Sequence, residues 1–121
     1  MRALALCLIL AASPALADTI SIPGPDGPLE GEAIAVAGAA HALVIIPGSG
    51  PTDRDGNGPD GMPGLRSDTY RMLAEALEEA GVASIRIDKR GLFGSTAALA
   101  DPWAARIDGY AEDARGWVAA A

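Results

Sequence analysis

Cysteine and positive charge are both scarce in this sequence. The single cysteine, Cys7, lies within the first 17 residues, so the rest of the chain can form no disulfide and offers no thiolate to bind a metal or attack a substrate. Only 9 Lys and Arg stand against 16 Asp and Glu, a net charge of −7. Nucleic-acid binding needs a basic stripe, and the sequence has none. The composition therefore argues against a disulfide scaffold and a nucleic-acid partner.

Long apolar runs are absent as well. No run reaches the roughly 20 residues of a membrane-spanning helix. The first 17 residues, MRALALCLILAASPALA, combine Arg2, a short apolar segment and Ala15-Leu16-Ala17. A positive charge, an apolar segment and an A-x-A cleavage site are typical of a secretory signal peptide. The sequence predicts cleavage after residue 17, export to the periplasm or the medium, and one small domain over residues 18–121.

The first part of that domain predicts three strands. Residues 19–22 and about 29–36 flank a turn rich in proline and glycine, which is typical of a hairpin. The run HALVIIP, residues 41–47, has the continuous apolar character of a strand buried on both faces.

The second part alternates helix and strand. The segment VASIRID, residues 82–88, alternates as a strand, with a predicted helix before it and another from about residue 104. Ser67 or Asp68 can cap the first helix, and Gly81 can end it. The apolar stripes are Tyr70, Leu73, Ala74 and Leu77 in the first helix and Ile107, Tyr110, Ala111, Ala114 and Val118 in the second. The order predicts an α/β fold with about four strands and two helices, its sheet mostly parallel with an N-terminal antiparallel hairpin.

The stretch IPGSGPTDRDGNGPD, residues 46–60, raises the functional question, because it follows an apolar strand directly. A phosphate-binding loop needs a lysine and a hydroxyl after its glycines, and no lysine occurs here before Lys89. The acids of the stretch would also repel a polyphosphate. A phosphate site is therefore disfavoured.

Calcium is a second interpretation of the same stretch. Asp53, Asp55, Asn57 and Gly58 match positions 1, 3, 5 and 6 of the D-x-[DN]-x-[DN]-G loop. Position 12, which should hold a bidentate glutamate, is Gly64. The calcium alternative thus rests on half of the ligands, Asp53, Asp55 and Asn57.

An oxyanion hole is the third interpretation. In open α/β sheets ligands bind at the carboxyl ends of the strands, where the segment PGSGP would turn. A glycine-rich loop there can point the N–H groups of Ser49 and Gly50 at a developing negative charge.

Three segments together carry a family resemblance: VIIPGSGPTDRDGN, SDTYRMLAEALEEAGVASIRIDKRGLFGS and YAEDARGWVAA. They resemble the N-terminal portion of a secreted bacterial α/β-hydrolase, nearest to the serine-aminopeptidase-like and esterase-like branch. In that branch a strand runs into P-G-S-G and D-R-D-G, and a later strand ends in D-x-R-G-x-G-x-S. The resemblance implies serine-nucleophile hydrolysis of an ester, thioester or peptide bond in a small-molecule substrate, without a cofactor.

The resemblance also assigns residues by position. Ser49 would donate its N–H to the oxyanion hole, with Gly48 and Gly50 permitting the turn. The rim of the site, largely structural, would be Asp53, Arg54, Asp55, Asp88, Arg90 and Gly91, followed by Gly94 and Ser95. Leu92-Phe93 stand where the family pattern has a single residue.

The catalytic residues of such an enzyme are missing from the sequence. No G-x-S-x-G nucleophile elbow occurs, and His41 opens a strand at the end opposite the expected site. We therefore expect residues 18–121 to be an incomplete α/β-hydrolase domain, without a catalytic residue of its own and inactive alone. The strand over residues 42–46 would form an open apolar edge, which predicts self-association. The alternative is a small calcium-binding or non-catalytic interaction protein.

Overall fold

The computed structural model describes residues 16–62 and 64–121. The predicted signal peptide lies outside these residues except for its last two positions. The elements are β1 (Asp18–Pro23), β2 (Pro28–Ile34), β3 (Ala42–Ile45), α1 (Thr69–Glu79), β4 (Ala83–Ile87) and α2 (Ile107–Ala120), with 3-10 helices at Phe93–Ala98 and Pro102–Ala104. None of the helices in these ranges has the length and apolar character needed to cross a membrane.

The four strands form one sheet in the order β1-β2-β4-β3. The α/β class, the strand count and the two α-helices are as predicted, but the expectation of a mostly parallel sheet is wrong. β1 pairs with β2 and β2 with β4 in antiparallel fashion, and β3 pairs with β4 in parallel. The reason is the position of β2. It pairs on both sides, so the hairpin is inserted beside β4, whereas α1 forms the crossover of the parallel pair.

The sheet is covered on both faces. On the face covered by α1, Ile34 and Ile45 pack with Ala74, Tyr70 and Leu77. On the opposite face, α2 and the first 3-10 helix pack on a second apolar cluster, which consists of Leu29, Ile85, Ile87, Ala98 and Trp117. We call these the α1 face and the α2 face. Alternate residues of each strand reach opposite faces, and both faces therefore contribute to one small core.

Helix α1 ends as its sequence predicts. Gly81 follows the last helical turn with a φ of +78°, a conformation that glycine adopts without strain. Its N–H donates to Glu78 O at 2.9 Å, and the N–H of Val82 donates to Leu77 O at 2.8 Å. This pair of bonds is a Schellman motif. At the other end, Asp68 occupies the N-cap position without a side-chain capping bond.

Two burial patterns differ from the expectation. β3 is an edge strand in which Ala42 and Leu43 are exposed, so it is not buried on both faces. In α2 the predicted stripe is wrong at both ends, since Ile107 is 79% exposed and Val118 67% exposed. The buried face is centred on Trp117, which packs fully buried in the apolar cluster on the α2 face of the sheet.

Candidate functional site

A cleft of about 590 Å³ opens where β3 and β4 end and α2 passes over them. This is the carboxyl end of the parallel pair, the position at which open α/β sheets bind ligands. Its walls are mostly apolar, with a few polar groups from three segments. The lining residues are Ile46, Pro47, Gly48, Ser49, Gly50, Pro51, Ile87, Asp88, Lys89, Leu92, Ile107, Tyr110, Asp113, Ala114 and Trp117.

The predicted oxyanion loop, Gly48 to Gly50, forms one wall of this cleft. The Gly48 N–H donates to the Tyr70 hydroxyl at 3.3 Å. Within the described residues, the N–H groups of Ser49 and Gly50 have no hydrogen-bond acceptor. Gly50 has a φ of +77°, which a side chain at this position would strain. Two exposed backbone donors therefore stand at the mouth of an apolar cleft.

Lys89 holds the shape of that loop. Its ammonium group donates to the carbonyl of Gly48 and, at 2.8 Å, to the carbonyl of Gly50. Burial lowers the pKa of Lys89 from its ordinary value. The ammonium group thereby holds the Gly48–Ser49 and Gly50–Pro51 peptide units next to the end of β4.

An ion pair between the partly buried Arg54 and the buried Asp88 ties the following segment to the end of β4. Asp88 is 2% exposed, and one of its oxygens accepts the backbone N–H of Arg54 at 2.8 Å. The other accepts Arg54 Nε at 2.8 Å and Nη2 at 2.5 Å, and Nη2 also reaches Glu30 at 3.4 Å. Burial works to lower the pKa of Arg54, but the hydrogen bonds and negative charges of Asp88 and Glu30 outweigh it and raise that pKa. Both side chains are thus engaged with each other.

A second ion-paired arginine is fully buried. Arg86, on the α1 face of β4, donates to Asp55 at 2.8 Å and to Glu32. Its Nε finds no acceptor among the described residues. Burial raises the pKa of Asp55, and the charge of Arg86 partly opposes that rise. Since Arg86 is 1% exposed, the two carboxylates supply the charge compensation that a buried guanidinium requires.

The three alternative calcium ligands face protein donors. Asp53 Oδ1 accepts the N–H groups of Asp55 and Asn57, and Asp55 Oδ1 binds Arg86. The Asn57 carboxamide binds Ser67 and Asp68. In residues 16–62 and 64–121 there is no group of three or more His, Cys, Asp or Glu placed to hold a metal ion. Within this segment, these oxygens bind the protein's own N–H groups.

The loop after β4 is equally engaged in packing contacts. Ser95 is fully buried, its hydroxyl donating to Asp88 O at 2.9 Å and accepting the Glu30 N–H at 2.8 Å. The N–H of Gly91, whose φ is +78°, donates to Ser95 O at 2.9 Å. This loop therefore joins β4 to the hairpin, and the extra residue relative to the family pattern coincides with Phe93 at a φ of +46°.

Arg90 joins the same loop to α2. It makes a bidentate pair with Asp113, with both N–O distances at 2.6 Å, and donates to Gly109 O at 2.7 Å. The hydrogen bond from Arg90 to Asp113 raises the pKa of Arg90. A Cβ at Gly109 would lie 2.5 Å from Arg90 Nη1, so any larger residue there would require the Arg90 guanidinium to shift.

The cleft also contains residues that the sequence did not assign to the site, among them Lys89, Tyr110 and Trp117. In the sequence, Lys89 lies too far from the glycine-rich stretch to serve as the lysine of a phosphate-binding loop. The large apolar side chain of Trp117 is a signal for burial in the sequence. The predicted apolar stripe of α2 did not include Trp117. His41 is exposed at the start of β3, away from the residues that line the cleft.

Comparison with known proteins bears on the fold. No protein-family model matches the chain, and no curated protein matches it. A crystal structure of a lid-less α/β serine hydrolase from Xanthomonas campestris superposes with a TM-score of 0.53 at 20% sequence identity. The match covers 91% of this chain and 47% of that chain, so the present chain spans about half the length of the hydrolase it matches. The chain has an α/β-hydrolase-like fold.

Proposed function

We propose that the chain contributes the oxyanion-loop portion of a serine hydrolase acting on ester, thioester or peptide bonds. The observation that carries the proposal is the pair of N–H groups at Ser49 and Gly50, which have no acceptor in the described residues and stand at the carboxyl end of β3. Such donors stabilise the negative charge that develops on a carbonyl oxygen during acyl transfer. The likeness to a serine hydrolase fold supports the same assignment.

In this proposal the residues around the loop have distinct tasks. The Ser49 and Gly50 N–H groups bind the oxyanion. The pair of Arg54 and Asp88 holds the segment after the loop against β4, and the pair of Arg90 and Asp113 fixes α2 over the cleft. These ion pairs position the loop and take no part in bond breaking. The nucleophile, the acid and the histidine would come from outside this chain, so the chain alone is inactive.

The backbone donor can be tested without altering the side-chain chemistry. The coding sequence is expressed together with the genomic sequence that follows codon 121, read in each frame, and hydrolysis of p-nitrophenyl acetate is measured. Ser49→Pro removes the N–H and should lower kcat about 100- to 1,000-fold, whereas Ser49→Ala keeps the N–H and should stay within a few-fold. Loss of activity in Ser49→Ala would instead make the hydroxyl the nucleophile. No activity in any extended form contradicts the proposal.

The chain by itself gives the matching control. Residues 18–121, purified alone, should hydrolyse p-nitrophenyl acetate no faster than buffer. Turnover above buffer that disappears in Ser49→Ala would show that the chain holds a catalytic serine after all.

We also propose that the chain self-associates through β3. Within the described sheet, β3 pairs on one side only, and Leu43 on it is 47% exposed. An unpaired apolar edge can add a strand from a second copy. Sedimentation velocity should show association that grows with concentration and is reduced by Leu43→Lys. A single monomeric species at all concentrations would contradict this.

Export is a further part of the proposal. Cleavage after Ala17 should give a periplasmic or secreted protein whose first residue is Asp18, as measured by intact mass. A cytoplasmic protein that keeps residues 1–17 would be incompatible with it.

A further inference from the structure

Lys89 is the one lysine of the sequence, and its environment differs from that of its basic neighbours. Arg54, Arg86 and Arg90 each pair with at least one carboxylate. Within the described residues, Lys89 makes no ion pair and binds only the carbonyls of Gly48 and Gly50. An ammonium group has three donors, and two of them are used. One donor and the positive charge of Lys89 are therefore available to the cleft.

The other charged groups on the cleft wall are neutralised. Asp88 is bound by Arg54, and Asp113 is bound by Arg90 through two short hydrogen bonds. Both carboxylates thus have their own cation, whereas Lys89 has no counter-ion among the described side chains. The cleft consequently presents one uncompensated positive charge.

The remaining wall is apolar. Ile46, Leu92, Ile107 and Trp117 line it, and Tyr110 adds an aromatic side chain. Its volume of about 590 Å³ lies within the range of small-molecule sites, roughly 300–1,000 Å³. Such a wall favours a hydrocarbon group, and the end of the cleft next to Lys89 favours an anion.

The backbone donors add to the preference for an anion. The N–H groups of Ser49 and Gly50 have no acceptor in the described residues and lie in the loop that Lys89 holds. A carboxylate has two oxygens, each able to accept more than one hydrogen bond. The Gly48 carbonyl faces the Lys89 ammonium group, and in a trans peptide the Ser49 N–H points the opposite way. One carboxylate oxygen can therefore meet Lys89 while the other meets the Gly50 N–H.

We propose that this cleft binds a monocarboxylate with an apolar chain, its carboxylate on Lys89 and the Gly50 N–H and its chain against the α2 wall. The site rests on the cleft and its charge, and it does not depend on the proposed hydrolysis. Octanoate binding by the chain, together with no ester hydrolysis in any extended form, would uphold this site and contradict the proposed function. Ester hydrolysis by an extended form, without octanoate binding by the chain, would uphold the proposed function and contradict this site.

Three probes dissect the two halves of the ligand. Octanoate carries both the charge and the chain, octanol has the chain without the charge, and acetate has the charge with almost no chain. By isothermal titration at pH 7.5 we expect octanoate to bind with a Kd of about 1 mM or tighter. Octanol and acetate should each bind about tenfold more weakly or worse. Equal affinity for octanoate and octanol would overturn the proposal.

Matched variants assign the charge to one residue. Lys89→Gln should weaken octanoate binding about tenfold or more, since a hydrogen bond to a charged group is lost, and leave octanol binding unchanged. Arg66→Gln makes the same change in net charge at an exposed side chain outside the cleft, and octanoate binding should be unaffected. Ile107→Ser, at a largely exposed wall position, should weaken octanoate and octanol alike. An octanoate affinity equal to wild type in Lys89→Gln would overturn the proposal.

A readout on the unaltered protein remains decisive even where Lys89→Gln does not fold. Biosynthetic ¹³C,¹⁵N-lysine labels a single residue, so its Cε and Nζ resonances belong to Lys89 without assignment work. Burial lowers the pKa of Lys89, and a bound carboxylate should raise it again. Octanoate should shift both resonances and raise that pKa, and octanol should not raise it. A Lys89 pKa that is unchanged at saturating octanoate contradicts the site.

Discussion

The two faces of the sheet are built from different chemistry. The α2 face is apolar, with Leu29, Ile85, Ile87 and Trp117 in one cluster. The α1 face has a smaller apolar cluster, next to which buried and partly exposed charged side chains form ion pairs with the segment after β3. Those charged residues are Glu30, Glu32, Arg54, Asp55, Arg86 and Asp88.

The α2 face therefore contributes mainly to stability, whereas the α1 face determines the position of the segment after β3. Apolar burial is non-directional, and it stabilises whichever arrangement removes the most surface from water. Buried ion pairs add little net stability, but breaking one leaves an uncompensated charge. On the α1 face the pairs join residues of β2 and β4 to residues 54 and 55, so they determine where the segment after the oxyanion loop lies.

The largest effect is expected on the α2 face. Trp117 is fully buried, so Trp117→Ala should lower the free energy of unfolding by about 3–5 kcal/mol. Trp103, which is 88% exposed, provides the matched control, and Trp103→Ala should change it by less than about 0.5 kcal/mol. Urea denaturation followed by circular dichroism measures both. Similar losses in the two variants would contradict the placement of α2.

A slightly smaller loss is expected on the α1 face. Arg86→Met leaves Asp55 and Glu32 without their cation, and we expect a loss of about 3 kcal/mol. Both carboxylates are partly exposed, which keeps the expected loss at the lower end of the range for buried pairs. Arg71→Met removes an exposed arginine paired with Asp68 and Glu75, and should cost less than about 1 kcal/mol. Chemical denaturation measures the free energy of unfolding of both variants. Equal losses in Arg86→Met and Arg71→Met would argue against a buried Arg86.

The third test concerns the close packing of Gly94 against the ion pairs of Arg54 with Glu30 and Asp88. A Cβ at Gly94 would lie 2.5 Å from both Arg54 Nη2 and Glu30 Oε2 and 3.0 Å from Asp88 Oδ2. Gly94→Ala should therefore cost about 1–3 kcal/mol by overpacking. At Gly48 a Cβ would meet only the Tyr70 hydroxyl at 3.7 Å, so Gly48→Ala should leave thermal stability nearly unchanged. The midpoints of thermal unfolding of the two variants are compared. A Gly94→Ala midpoint equal to that of the wild type would show that the side chains around Gly94 are not closely packed.

The smallest effect is a difference between two carboxyl groups of the same segment. Burial raises the pKa of Asp55 above 3.8, whereas the hydrogen bond from Asn57 and then that from Arg71 lower the pKa of Asp68 below 3.8. Carboxyl ¹³C titration by NMR should separate the two midpoints in that order. In Arg86→Met the pKa of Asp55 should rise further, and the pKa of Asp68 should remain in place.

These shifts imply opposite contributions to the pH dependence of stability. The Asp68 contribution is present above pH 3.8 and is lost as the pH falls through its lowered pKa. The Asp55 contribution is present below pH 3.8 and is lost as the pH rises through its raised pKa. Identical titration midpoints for Asp55 and Asp68 would contradict the contrast between a carboxyl group whose pKa is raised by burial and one whose pKa is lowered by hydrogen bonds.

Much of the fold could be predicted because its signals are local. The six elements follow from residue patterns within their own segments, although the buried face of α2 does not, and Gly81 ends α1 by a conformational preference that no distant residue alters. The loop over residues 48–50 was predicted at the carboxyl end of a strand for the same reason. Whether that loop works as an oxyanion hole stays a prediction.

The remaining features depend on pairs that are far apart in the chain. Arg86 lies between Ile85 and Ile87 in the alternating strand β4, but its burial depends on Glu32 and Asp55, which lie 54 and 31 residues away. Ser95, which was predicted to rim the site, is fully buried because it bonds to the backbone of Glu30, 65 residues away. No periodicity in the sequence encodes such contacts.

By itself, the sequence determined the α/β class, the positions of the elements, the glycine-rich turn after β3 and the excess of acids. Only the tertiary structure decided that β2 lies between β1 and β4, that Trp117 anchors α2, and that Lys89 reaches the carbonyls on either side of Ser49. The physical reason is that backbone propensity and hydrophobic period act within a few residues. Strand order and charge pairing, in contrast, are settled by which distant groups can be buried together.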